Sequence, residues 1–148
     1  MATGGNVLAD SGNLVAPLVY AQGTFTPTVT LVGGANNVVP QYTTSTGRYT
    51  RVGNRVFVDI HLTGDGGNEG AGTGQLNIAL PFAASASNPA ALIPIGDYTN
   101  NAATMNGFGE INGAVSTVAL TGGTYSAMTG ANQNATDRMI RLQFSYEV

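Results

Sequence analysis

The sequence predicts an all-β, antiparallel sandwich preceded by an extended arm. Short stretches rich in β-branched residues recur between Gly, Pro and Asn turn signals. Three of them alternate with a period of two, as half-buried strands do. No stretch has a convincing helical period.

Residues 1–23 read as the arm and 24–148 as the sandwich domain. The arm has Gly4, Gly5, Gly12, Gly23 and Pro17 and no sustained periodicity, yet it holds aliphatic clusters at Val7-Leu8, Leu14-Val15 and Leu18-Val19-Tyr20. Such clusters suit docking on a neighbouring subunit, because each buried aliphatic side chain contributes about 1.5–3 kcal/mol. A flexible leader, or a strap on its own domain, is the alternative.

The strands then follow in order. Thr24 to Val32 is β-branched, with Pro27 unable to donate to a ladder and therefore marking an edge or bulge. Val38 to Thr44 is a second run, ended by a turn at Ser45-Thr46-Gly47, and Arg48 to Val52 continues it to a tight turn at Gly53-Asn54. In the next strand Val56, Val58, Ile60 and Leu62 face one way and Arg55, Phe57, Asp59 and His61 the other. After a Gly-rich loop over 64–74, Leu76, Ile78 and Leu80 alternate again up to Pro81. Residues 83–91 form a connection. Further strands are expected over 92–98 (weakened by Pro94), 104–111 (with a twist or bulge at Gly107 and Gly109), 113–120 after the turn Asn112-Gly113, and 124–128. The closing strand places Ile140, Leu142, Phe144, Tyr146 and Val148 on one side. It is expected to sit centrally or at an interface.

Composition narrows the function. Charged residues are 9% of the 148, against about 25% in an ordinary soluble domain. All five basic residues are Arg, and Gly supplies 21 positions. A free monomer normally carries a mixed, charged skin. A surface of Thr, Ser, Asn, Gly and Ala suits close contact with identical copies, since little charge must be desolvated. The net charge of −3 argues against nucleic-acid binding. Without Cys there is no disulfide framework or thiolate metal site. No apolar run approaches the ~20 residues of a membrane helix, and the first residues lack the basic start of a signal peptide. Synthesis and assembly in the cytoplasm are the expectation.

Candidate chemistry is sparse. His61, the only His, lies two residues from Asp59, but nothing marks a nucleophile elbow, so a polar strand position is the better reading. Asp65 and Glu69 sit in a glycine loop that lacks EF-hand spacing. Gly70 to Gly74 lacks the Gly-Lys-Ser/Thr ending of a phosphate loop, and Asn134-Ala135-Thr136 is a chance-prone glycosylation tripeptide. The acids are too scattered for a glycan hydrolase. No cofactor, metal or catalytic residue is expected. Arg48, Arg51 and Arg55 cluster about one hairpin and suit interfacial carboxylate pairing. Phe57, placed opposite the core face, suggests cover by a second subunit.

Tyr42, Tyr49, Gly53 and Val56, then Val58, Ile60 and Leu62, then Gly74, Leu76, Ile78 and Leu80-Pro81-Phe82, form a pattern. It resembles β-sandwich modules of bacteriophage virion proteins: head decoration (cement) proteins and tail-fibre or tailspike tips. The resemblance is strongest over 24–82, above all in the hairpin Gly47 to Gly53 together with Leu80-Pro81-Phe82. It implies a jelly-roll-like sandwich that forms a homotrimer, has no active site and resides in the virion. With a short arm and no shaft, the chain is closer to a decoration protein on the head surface. Such a protein would bridge subunits of the major capsid protein through Leu14, Val15, Leu18, Val19, Tyr20, Arg51, Arg55 and Phe57. The alternative is a trimeric receptor-binding tip recognising a bacterial surface glycan, with Tyr98, Tyr125 and the loops 99–101 and 132–134 lining shallow sites. The absence of Trp departs from that pattern.

Overall fold

The computed structural model describes residues 9–10, 13–14, 19–35, 39, 41–65, 72–86, 93–99, 102–111, 117–121 and 136–148. Among these there is no helix. Eleven strands form: β1 (Ala9–Asp10), β2 (Asn13–Leu14), β3 (Tyr20–Phe25), β4 (Val29–Val32), β5 (Tyr42–Val52), β6 (Arg55–Asp65), β7 (Gln75–Ala79), β8 (Ile93–Thr99), β9 (Ala102–Glu110), β10 (Thr117–Thr121) and β11 (Thr136–Glu147). β1 and β2 make a two-stranded ribbon. The other nine form one antiparallel sheet in the order β3-β5-β6-β11-β8-β9-β10-β7-β4.

This sheet doubles over on itself. Val56, Val58, Ile60 and Leu62 of β6 and Ile140, Leu142 and Tyr146 of β11 share one core with Leu76 and Ile78 of β7, Val29 of β4, and Ile111. Four strands separate β6 from β7 along the sheet, so these side chains meet only because two layers face each other. The alternation of β6 and β11 is what makes this possible, since every second residue points into the gap. β11 lies between β6 and β8, well inside the sheet, as the closing strand was expected to be.

The chain passes between layers at a corner. β3 pairs with β5 and β4 with β7, and only Thr26-Pro27-Thr28 separates β3 from β4. The Pro27 carbonyl accepts a hydrogen bond from Ser45 Oγ (2.8 Å), and the Thr28 carbonyl accepts from Ala79 N–H (2.8 Å). Pro27 is buried there, and its missing N–H costs nothing because the kink needs only acceptors. One bent strand thus serves both layers. It begins at Tyr20, so 20–23, assigned to the arm from sequence, are paired into the sheet.

Two expectations need correction. The turn at Ser45-Thr46-Gly47 is absent, and β5 runs unbroken from Tyr42 to Val52. Gly47 is buried opposite Phe25, whose ring occupies the space a Cβ would fill. Two residues on, Tyr49 covers Gly23 in the reciprocal way. These glycines accommodate cross-strand rings rather than a reversal. Of the twist or bulge expected at Gly107 and Gly109, the bulge is absent: both keep regular register against Ile95 and Ile93, and the irregularity of that pair falls between Asp97 and Thr99. A glycine fits a regular ladder as readily as a bulge. Pro94 is tolerated because the β11 pairing of β8 ends at Ile95, leaving Pro94 bonded on one side only. The Gly53 turn forms as expected, with φ 63°. The expected turn at 112–113 and strand at 124–128 lie outside the described residues, as do 66–71 of the glycine loop and 87–91 of the connection.

Candidate functional site

The outward face of β3, β5, β6 and β11 follows from strand phase. Once Val56, Val58, Ile60 and Leu62 point in, Arg55, Phe57, Asp59 and His61 point out. Pairing aligns them in rows: Tyr20, Val52, Arg55 and Glu147; then Gln22, Thr50, Phe57 and Ser145; then Thr24, Arg48, Asp59 and Gln143. Arg55 donates to Ser145 Oγ from Nε (3.2 Å) and Nη2 (3.0 Å) and lies 3.7 Å from Glu147. That ion pair is solvent-exposed and contributes little. Gln143 Nε2 donates to Asp59 Oδ2 at 2.8 Å. His61 Nε2 is 3.2 Å from Thr63 Oγ1, an ordinary strand contact.

Phe57 is 50% exposed. Its cross-strand neighbours, Thr50 and Ser145, are too small to cover the ring. The result is a concavity of about 480 Å³ lined by Arg48, Thr50, Phe57, Asp59, Gln143 and Ser145, among others. Arg48 makes no ion pair among the described residues, although Asp59 is its cross-strand partner.

The structure separates the arginines chosen from sequence. Arg55 shares the outward face with Phe57. Arg51 is half-buried on the inward phase of β5, two residues from Tyr49. Its Nε donates to the Gly53 carbonyl (2.8 Å), and its guanidinium lies 5.6 Å from the centre of the Phe82 ring. Phe82 meets Tyr49 edge-on at 5.0 Å, and its backbone N–H and C=O are both bonded by Tyr146 Oη (3.2 and 2.9 Å). The two motif segments, 47–53 and 80–82, therefore meet in one joint that ties β5 and β11 to the end of β7. Burial pushes the Tyr146 phenol up to about 12, against smaller opposing effects of the Phe82 backbone bond and the Arg51 charge.

Val19 and Tyr20 are 50% and 62% exposed at the start of β3. Leu14 pairs with Ala9 in the ribbon, but its side chain, with Val15 and Leu18 entire, lies outside the described residues. So do the side chains of Tyr98 and Asp65, and all of Glu69, Tyr125, 100–101 and 132–134.

A second surface escaped the sequence reading. β3 and β4 are the two edges of the nine-stranded sheet, and no described strand pairs with their outer sides. Val19, Tyr20 and Val32, three of the five large apolar residues left exposed among the described residues, lie in or beside them. From Ser11 to Gly47 there is no Asp, Glu, Lys, Arg or His. Edge strands of monomers are normally guarded by charge. The uncharged run was the available signal.

Among the described residues no group of three or more His, Asp or Glu could hold a metal ion, and no helix is long and apolar enough to cross a membrane. Compared with protein-family models and with curated proteins, the chain matches none.

Proposed function

We propose that this chain is a non-enzymatic structural protein of a phage particle, a trimeric decoration protein that bridges capsid subunits. The edges of its sheet support this reading most directly. Among the described residues the outer sides of β3 and β4 have no strand partner, and they lie beside exposed Val19, Tyr20 and Val32, with no charge to discourage pairing. Covering such edges with identical copies removes apolar surface from water and satisfies backbone donors at once. Val19 and Tyr20 at the start of β3 belong to the same surface, and the aliphatic residues Leu14, Val15 and Leu18 precede them in sequence. A jelly-roll winding belongs to this reading.

The test is the mass of the purified protein in solution. The wild type is expected to run as three chains. Tyr20→Lys combined with Val32→Lys places charge on both edges at exposed positions, and is expected to yield a folded monomer with an unchanged β spectrum. A monomeric wild type overturns the reading. Copy number on the particle separates head from tail, with hundreds expected for a decoration protein.

A further inference from the structure

We infer that the concavity around Phe57 is a saccharide-binding site, taking one pyranose unit against the outward face of β5, β6 and β11. This goes beyond the structural role and uses a surface distinct from the uncharged edges. The hollow, about 480 Å³, is shallow and largely open to solvent, which suits a ligand that keeps one face in water.

The chemistry of the lining selects the ligand. The half-exposed Phe57 ring, left bare by Thr50 and Ser145, presents an aromatic face that the C–H face of a pyranose can cover. Around it stand three planar polar groups suited to hydroxyls. Gln143 Nε2 is committed to Asp59 Oδ2 at 2.8 Å, which orders both side chains. Asp59 Oδ1 and Gln143 Oε1 are left to accept from sugar hydroxyls. Arg48, without an ion pair among the described residues, supplies N–H donors from the other side. A sugar hydroxyl both donates and accepts, so it satisfies this mixed set.

Other occupants fit less well. A phosphate-bearing ligand meets the Asp59 carboxylate beside Arg48. A subunit face laid over the patch desolvates Arg48 and Asp59 without a designated partner. The site also differs from the one the sequence suggested, which relied on Tyr98 and Tyr125.

The experiment uses the full chain and a panel of immobilised neutral hexose oligosaccharides, followed by backbone NMR shifts on titration with the best binder. Shifts are expected at Phe57, Asp59 and Gln143. Phe57→Ala and Arg48→Ala are each expected to weaken binding by about tenfold or more, whereas Phe57→Tyr, which keeps the ring, retains it. Both positions lie on the exposed face, and solution mass and far-UV spectrum of the three variants are expected to match the wild type. No binding across the panel, or binding indifferent to Phe57→Ala, overturns the inference. A fall in solution mass on Phe57→Ala also overturns it, by assigning the concavity to a neighbouring copy. The edge variant Tyr20→Lys/Val32→Lys is expected to keep sugar binding, so failure of the trimer and failure of the site are read separately.

Discussion

Tyr146 shows how one side chain can hold two layers together. Its hydroxyl donates to the Phe82 carbonyl and accepts from the Phe82 N–H. Burial disfavours the charge of the phenolate and outweighs the smaller lowering effects of the Phe82 backbone bond and the Arg51 charge, so the folded-state pKa rises to about 12 from an ordinary value near 10. Stability from this group is fully present below pH 10 and declines as pH rises through 12. The amount at stake is about 2–3 kcal/mol. Denaturant midpoints measured from pH 9 to 12 are expected to fall in the wild type and to fall less in Tyr146→Phe. At neutral pH that variant is expected to lose about 1–3 kcal/mol, because the Phe82 groups are left unpaired. Gly47 tests packing at the same scale. A Cβ there would enter the Phe25 ring, so Gly47→Ala is expected to lower the melting temperature by an amount equivalent to about 1–3 kcal/mol. A neutral result would mean that Phe25 does not cover Gly47.

At the level of elements, the strands most readable from sequence were those whose environment is simplest. β6 and β11 have one face in the core and one in solvent, so their inward positions over 56–62 and 140–146 are all apolar, and Phe57 alone breaks the polar outward set. β5 was harder. Its glycine looks like a turn unless Phe25 is known to lie across it, and that contact joins residues far apart in the chain. Breaking β5 at Gly47 also obscured its phase. With the strand continuous, Gly47, Tyr49 and Arg51 point the same way, and Arg51 becomes a joint residue beside Phe82 rather than a partner for Arg55. The motif segments 47–53 and 80–82 were legible as a signature, but their role is architectural. The Phe57 concavity could not be read at all, because Gln143 and Asp59 become neighbours only through the pairing of β6 with β11.

For the whole molecule, stability should be graded across the sheet. β6 and β11 pair with each other along nearly their full length and contribute most of the fully buried side chains. Among the described strands, β3 and β4 each have a neighbour on one side only. Native-state hydrogen exchange is expected to show the highest protection at amides of β6 and β11, near the global unfolding free energy, and the lowest in β3 and β4. Uniform protection across all nine strands in a protein of monomeric mass would contradict this. In the assembled form the edge amides are expected to slow, because copies supply the missing acceptors.

Because the strand bent at Pro27 is anchored in both layers, a pull delivered through the arm does not act on a single hairpin. Traction along the chain at Val19 loads the β3–β5 ladder lengthwise. Whatever passes beyond Phe25 is divided between Ser45, gripping the Pro27 carbonyl, and Ala79, gripping that of Thr28. Such a pull is therefore resisted by shear rather than by unzipping.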